Sequence, residues 1–484
     1  MMVRRPARRT RALPRSHHLL RRVRSRSPER SIHTSGKNRS ARRRRNVHRR
    51  VHRGTTSPAD RLLPDSWSET VFREWRAFAL IIRASMDEIF LPGNRRRLTL
   101  KRGKDRVIAN RHPWIFAGAV AAEAGPADAA IADLYDPSGV RVASGFYSAR
   151  SEIRLRALTF GDEELTGELI GKRLAAAIER RRPLLTKETN AVRVVNAEGD
   201  ELSGLVIDLY NDVAVAEVAN AGLERIKATV VDIVRRELRP RLTYFKNDLP
   251  ARRLEQLSTE PESVGDGSAS TTIVENGLRF EVDPAVGQKT GFFLDQRENR
   301  ALVRQLASGN SVLNLFSYTG AFGVYAAAGG ATAVENVDGS DVAIEQARKN
   351  HDINSSSKTA RFAVADVFAH VRKLAAANQR FGLIVCDPPA FAKRRVEVDR
   401  AARGYKDVNL YAMRLLESRG LMLTFSCSGH MSLDLFQKVI FAAALDAGRR
   451  ISILRRLTAG PDHPVSIYCP EGEYLKGFLL EVRE

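Results

Sequence analysis

SVLNLFSYTGAFGVYAAAGGATAVENVD, residues 311 to 338, reads as strand, glycine turn, helix, second strand and carboxylate. The apolar run Val312, Leu313, Leu315, Phe316 is short and bounded by turn residues, as a buried parallel strand is. Thr319 and Gly320 allow a sharp turn into the alanine-rich AFGVYAAAG helix, and Asp338 closes the next apolar segment, about 20 residues beyond the glycine. This is the nucleotide-binding pattern of an open α/β sheet: glycine permits close backbone approach and a carboxylate takes ribose hydroxyls. A full GxGxxG is missing, which argues against a dinucleotide. One glycine with an acid downstream does not by itself separate a nucleotide site from a plain βαβ unit, so the motifs that follow decide.

Downstream, strand and helix keep alternating, as in a parallel, helix-covered sheet. SDVAIEQARKNHD is a helix with Ser340 as N-cap. RFAVADVF is a strand ending at Asp366, FGLIVCDPPAF a strand ending in Asp387-Pro388-Pro389, VNLYAMRLLESRG a helix, and LMLTFSCSG a strand ending at Cys427. Upstream, GQKTGFFLDQRENRALVRQLA leads into a helix and TTIVENGLRFEVDPAV is a lead-in hairpin, so this α/β domain spans 273–484. Residues 166–272 read as a small α+β domain of order helix-strand-strand-helix-strand. Its second helix places Ile226, Val230, Ile233 and Val234 on one face, and the polar stretch 257–272 reads as a surface loop or linker. Residues 96–165 form a small β-rich, barrel-like domain, with IADLYDPSGVRVASGFYSARSEIRLRAL giving three short strands.

The charge is unevenly spread. The chain of 484 residues carries +23 formally, yet residues 1–53 hold 20 Lys or Arg against the single acid Glu29; the other 431 residues have 59 bases and 55 acids, a net of +4. Residues 1–95 therefore read as a disordered Arg-rich extension, too poor in apolar residues to build a core. An RNA-binding arm, a transit peptide and a true start at Met86 compete as explanations of the segment to residue 85; the last is favoured, and a short helix over 67–83 is the main point against it. In the β-rich domain Lys101, Arg102, Lys104, Arg111, Arg154 and Arg156 give basic turns and edges that suit phosphate contacts to RNA. Three cysteines without regular spacing supply neither a disulfide framework nor a metal site, which fits a reducing, cytoplasmic setting. No apolar run reaches 18 residues, so no membrane span is expected.

The chemistry is expected at the strand ends. Asp338, Asp366, Asp387 and Cys427 each close a strand, and in an open parallel sheet such ends share the ligand-binding edge. The two prolines after Asp387 enforce a rigid, extended exit that fixes its carboxylate, with Phe391 as a stacking wall for a flat heterocycle. Cys427, among small polar residues at a strand terminus, is accessible as a core cysteine is not; Cys386 reads as core.

The ordered motifs HPWIFAG, GDELSGLVIDLYND, GQKTGFFLDQRENR, NLFSYTGAF, CDPPAFAK, RGYKDVNLYAMRLL and SCSGHM make the chain, over roughly 96–484, resemble the class I S-adenosylmethionine-dependent methyltransferases. More closely it resembles the PUA-domain-containing large-subunit rRNA cytosine-5 methyltransferases. The resemblance implies a Rossmann-like methyltransferase domain with a mostly parallel sheet, behind a PUA-like β-barrel and an α+β domain. It places the cofactor S-adenosylmethionine against Phe316, Ser317, Tyr318, Thr319 and Gly320, with Asp338 on the ribose, Asp366 on the adenine edge, and Gln288, Lys289, Thr290, Asp295 and Arg297 closing over it. Cys427 would be the nucleophile and Asp387 would hold the target base. Pro388, Pro389, Phe391, Lys393, Arg111 and Arg154 would contact the RNA, with no metal and with homodimerisation left open. Ala390 stands where a different group of RNA cytosine methyltransferases has a second cysteine, so release must use another base or water. Two alternatives remain: base-nitrogen methylation through the DPPAF loop without a nucleophile, and a catalytically idle RNA-binding assembly factor.

Overall fold

The structure, a computed structural model, describes residues 88–483. The readings of the segment up to residue 85 lie outside those residues. The folded chain starts earlier than residue 96: Phe90 is buried in the core of the central domain, and Arg95 donates to the Phe90 carbonyl and pairs with Asp133 at 3.2 Å. These two contacts correct the assignment of residues 88–95 to the extension.

Three sheets follow one another along the chain. The first holds β1 (Arg96–Leu100), β2 (Trp114–Phe116), β3 (Val120–Ala124), β4 (Ile131–Tyr135), β5 (Arg141–Tyr147) and β6 (Ile153–Phe160) in the order β2-β6-β5-β4-β1-β3. Its apolar residues Leu98, Leu100, Ile115, Leu134 and Leu155 collect in one core. Arg154 and Arg156, expected on basic edges, turn inward. Arg154 donates to the Ser148 carbonyl and pairs with Glu123 at 3.1 Å, and Arg156 is buried 3.8 Å from Glu198. Arg154 is thus engaged within its own domain, whereas Arg156 faces Glu198 of the central domain.

The second sheet contains β7 (Ala191–Asn196), β8 (Leu205–Tyr210), β9 (Val213–Val218), β10 (Leu242–Phe245) and β11 (Glu262–Gly265), in the order β11-β10-β9-β8-β7. Helices α1 (Gly167–Arg181) and α2 (Lys227–Leu238) bury Ile170, Leu174 and Ile178, and Val230, Ile233 and Val234, against its apolar residues. The first set is spaced i, i+4, i+8 and the second i, i+3, i+4, the stripes that amphipathic helices present to a sheet. Two details differ from the sequence reading. The segment 191–218 makes three strands because NAEGDELSG turns the chain once more, and the polar stretch 257–272 contains β11, an edge strand paired antiparallel with β10. An edge strand with one sheet neighbour can be polar, so hydropathy conceals it.

After the hairpin β12 (Thr271–Glu275) and β13 (Leu278–Val282) comes α3 (Arg297–Leu306) and the third sheet. Its strands are β14 (Ser311–Leu315), β15 (Ala333–Asp338), β16 (Ala360–Val364), β17 (Phe381–Cys386), β18 (Leu416–Ser426), β19 (Ile451–Leu457) and β20 (Lys476–Val482), in the order β16-β15-β14-β17-β18-β20-β19. The first five are parallel; β20 inserts antiparallel between β18 and β19. Helices α4 (Ala321–Ala328), α5 (Asp341–Ile353), α6 (Val367–Ala376), α7 (Val398–Arg414) and α8 (Leu433–Ala447) join the strands. This is the Rossmann-like, mostly parallel architecture expected. Ser340 caps α5 by accepting from the Ala343 N–H. Among the described residues no helix is long and apolar enough to cross a membrane.

The second and third sheets meet over buried charge. Asp462 accepts from Arg297 at 2.7 Å and from the Arg193 N–H at 3.0 Å, and Glu275 pairs with Arg300 at 2.7 Å. Such groups persist in a core only when paired and hydrogen-bonded.

Candidate active site

Register sets the site. Leu315 of β14 lies opposite both Val337 of β15 and Cys386 of β17, so Phe316, Asp338 and Asp387 all emerge at one edge. Gly320 has φ +77°, and a Cβ there would stand 2.8 Å from the Ala347 methyl, so only glycine lets α4 begin this close to α5. Phe316 (φ 57°) and Tyr318 (φ 47°) also take left-handed backbone, rare for bulky residues and concentrated where a loop wraps a ligand.

A cavity of ≈ 160 Å³ opens at this edge. Two groups of residues line it: those of the cofactor motifs, here called the cofactor end, are Gln288, Lys289, Phe293, Asp295, Phe316, Ser317, Tyr318, Thr319 and Asp338; the others, here called the second end, are Gln296, Asp387, Pro388, Pro389 and Cys427. Most residues expected to hold the cofactor are therefore gathered in one place, together with the expected nucleophile.

Four expected cofactor contacts fall elsewhere. Asp366 lies beyond the end of β16 and caps α6, accepting from the Ala369 N–H. Thr290 is fully buried, donates to Asp208 and shares a hydrogen bond with the Tyr210 hydroxyl, which fastens its loop to the central sheet. Arg297 belongs to the buried charges between the sheets. Gly320 is spent on the packing against α5. Among expected RNA contacts, Phe391 does not line the cavity. It sits in an aromatic cluster 4.6 Å from Tyr405 and 5.9 Å from Phe368, which braces the loop after the two prolines. Lys393 is exposed on that loop. Arg111 borders a separate cavity of ≈ 250 Å³ beside Glu163, Arg173 and Glu198. Sequence reasoning missed Phe292, Phe293, Gln296, Arg300, Ala321, Phe322 and Leu475 as lining residues. Gln296 was readable in GFFLDQREN; Leu475 enters from the residue just before β20, far beyond the glycine turn in sequence, with no local signal.

The two ends differ electrostatically. Asp338 accepts from the Tyr318 N–H at 2.8 Å and the Ser340 N–H at 2.9 Å, which fixes its carboxylate and leaves further lone pairs for hydroxyl donors. Asp295 accepts from Lys289 at 2.7 Å and the Tyr474 hydroxyl at 2.7 Å; burial opposes its charge, but Lys289 holds it below the usual carboxylate range. Asp295 Oδ1 and Ser317 Oγ are buried without any protein partner. Unpaired buried polar atoms call for a polar ligand. Hydroxyl acceptors at Asp338, an ion pair at Lys289–Asp295 and the aromatic rings of Phe293 and Tyr318, 5.2 Å apart, match a nucleoside carrying an amino-acid tail. S-adenosylmethionine fits this end.

At the other end Asp387 accepts from Gln296 at 3.0 Å, and burial together with the nearby Asp295 charge raises its pKa to about 7. The Cys427 thiol is partly buried and donates to the Pro388 carbonyl at 3.7 Å. Burial and the Asp387 charge raise it to about 11. Cys427 and Asp387 thus line one cavity as a thiol and a carboxylate, the carboxylate titrating near neutrality and raising the thiol.

Comparison with known proteins agrees with this geometry. Residues 239–458 match a family described as S-adenosylmethionine-dependent methyltransferase, and 98–160 match a PUA-like domain. The ribosomal RNA large subunit methyltransferase I of Pseudoalteromonas atlantica is 40% identical over 391 residues, covering 80% of this chain and 99% of the relative. The protein of that name from Tolumonas auensis is 41% identical over 388 residues, 79% of this chain and 98% of its own. Among solved structures, an S-adenosylmethionine-dependent methyltransferase from Streptococcus mutans has a TM-score of 0.68 at 23% identity, covering 80% of this chain and all of its own. A methyltransferase crystallised with SAH reaches 0.69 at 22% identity, with the same coverage. At that identity the two structures speak for the fold.

Proposed function

The chain belongs to the family of S-adenosylmethionine-dependent large-subunit ribosomal RNA methyltransferases, and from that premise we propose that it methylates carbon 5 of a cytosine through a covalent bond to Cys427. The observation that carries this reading is the sharing of one cavity by Cys427, Asp387 and the cofactor end. Nitrogen methylation needs no nucleophile, whereas carbon 5 of cytosine must first be made electron-rich.

S-adenosylmethionine, when bound, supplies a methyl group on an electrophilic sulfonium. The protein's part is to hold the ring and move one proton. Cys427 Sγ bonds to carbon 6 as its proton passes to the Asp387 carboxylate, and Asp387 delivers that proton to ring nitrogen 3. The carbon 5–carbon 6 electrons are then available at carbon 5. After methylation, water takes the carbon 5 proton, the carbon 5–carbon 6 double bond re-forms as Cys427 leaves as thiolate, and the nitrogen 3 proton returns through Asp387 to that thiolate. Pro388 and Pro389 keep Asp387 and the adjacent carbonyl rigid at the strand exit. The target nucleotide leaves its stack to enter, as in other enzymes acting on bases, and the proposed setting is cytoplasmic rRNA.

The one-proton state of the Asp387–Cys427 pair dominates between pH 7 and 11. Below pH 7 Asp387 is already protonated and cannot accept the thiol proton. Activity therefore rises through about pH 7. The test uses unmodified large-subunit rRNA and labelled S-adenosylmethionine, with the labelled nucleoside identified by mass spectrometry. Label in 5-methylcytosine, reduced about 10⁴-fold in Cys427→Ala, is the predicted result. Label on an exocyclic or ring nitrogen, retained in Cys427→Ala, overturns it.

A further inference from the structure

The 3-10 turn Leu294–Gln296 contributes two successive residues, Asp295 and Gln296, to the cavity lining. Asp295 faces Lys289 and Tyr474, and the next residue reaches the opposite side, where Gln296 Nε2 donates to Asp387 Oδ2 at 3.0 Å. A side-chain amide can present either its oxygen or its nitrogen. Here the choice is made by Asn299, whose Nδ2 donates to Gln296 Oε1 at 2.6 Å. Asn299 is itself tied to the Thr458 carbonyl at 3.2 Å. Turning the Gln296 amide over would face oxygen against carboxylate and N–H against N–H, so the chain of bonds has one consistent direction. Gln296 and Asn299 are 2% and 4% exposed. Among the described residues Gln296 gives the Asp387 side chain its only hydrogen bond, leaving Oδ1 for the substrate.

We infer that Gln296, oriented by Asn299, is the positioning residue that holds the Asp387 carboxylate for proton transfer between Cys427 and the target ring. The inference rests on the cytosine reading above. A carboxylate with one tethered oxygen cannot rotate freely, so its second oxygen is presented in a fixed direction. The same bond favours the ionised form, opposing burial and the Asp295 charge. The other charges facing Asp387 are Lys289 and Arg300, with Cys427 as the neighbouring thiol.

The experiment compares wild type with Gln296→Leu, Gln296→Glu and Asn299→Ala in the full chain. It reads kcat against pH on rRNA, SAH affinity by calorimetry, and thermal stability. Gln296→Leu is expected to lower kcat by about ten- to a hundredfold and to move the rising limb upward from pH 7 by about one unit. Gln296→Glu, similar in size but adding negative charge, moves the limb further, and Asn299→Ala moves it less in the same direction. SAH affinity stays near that of wild type, and the melting temperature falls by a few degrees as buried hydrogen bonds are lost but stays above the assay temperature. A limb that stays in place while rate is lost, or a loss of SAH affinity that accounts for the rate, overturns the assignment. The wild-type product decides the cytosine reading separately: 5-methylcytosine made through Cys427 with an unmoved limb in Gln296→Leu removes the Gln296 role alone.

Discussion

Asp462, between the second and third sheets, and Asp387, at the edge of the third, are carboxylates taken out of bulk water under opposite conditions. Asp462 meets Arg297, the Arg193 N–H and His463, and although burial opposes its charge, His463 and Arg297 hold it well below the usual carboxylate range. Asp387 hydrogen-bonds one neutral amide and faces the like charge of Asp295, and although Lys289 and Arg300 oppose the rise, burial and Asp295 take it to about 7. The first region uses buried charge to join two parts of the chain. The second leaves buried charge under-compensated, which costs stability and brings a proton exchange within reach of neutral pH. Near this fold's ligand edge, the poorly paired acid is thus the one that titrates near neutrality.

That contrast can be broken most directly at Asp387. Asp387→Asn removes the proton acceptor, so methyl transfer is expected to fall by about 10³-fold and the limb near pH 7 to vanish. Its stability effect has the opposite sign to the usual loss on mutation. Because the folded-state pKa of Asp387 lies above its unfolded value near 3.8, its ionisation weakens the fold as pH rises through 7. Asn carries no such cost, and the variant should gain about 2 kcal/mol at pH 8, allowing for partial solvent exposure, and gain nothing at pH 3.5. Urea titrations at both pH values check this; destabilisation at pH 8 would show that the carboxylate is structurally compensated after all.

Arg297→Met sharpens the other side of the contrast. It strips Asp462 and Glu275 of a partner in the interior, and a loss of about 3 kcal/mol is expected. Urea titration measures it, and the pH limb of any folded fraction should remain near 7. Asp295→Asn is the mildest of the three. The folded protein should bind SAH about tenfold more weakly by calorimetry, because the Lys289 ion pair is lost, while a neutral amide still fills the position. Equal affinity would remove Asp295 from the cofactor end.

Much of this contrast was legible in the sequence, and the missing parts share a cause. Asp338, Asp387 and Cys427 were readable because an apolar run of known length predicts where a strand stops, and parallel strands stop together. Asp366 lies two residues past the end of β16 at Val364, where one of its oxygens caps the next helix by accepting from the Ala369 N–H. Thr290 and Arg297 sit in the same motif as Lys289 and Asp295, yet they face the central sheet. A motif gives chain order, whereas the split between cavity and seam depends on Asp208, Tyr210 and Asp462, distant in sequence. Phe391 was readable as an aromatic beside the prolines, but only the packing of Phe368 and Tyr405 shows that it braces the loop from behind. β20 was missed because alternating βα order does not announce an antiparallel insertion.

The central claim is the bond between Cys427 and carbon 6, and a trap tests it most directly. rRNA fragments carrying 5-fluorocytosine are incubated with the protein and S-adenosylmethionine, then digested for peptide mass spectrometry. Fluorine cannot leave carbon 5 as a proton does, so release is blocked. The account predicts a peptide containing Cys427 that carries one methylated fluorocytidine nucleotide, absent with Cys427→Ala. An adduct-free protein that still methylates unsubstituted rRNA would contradict it.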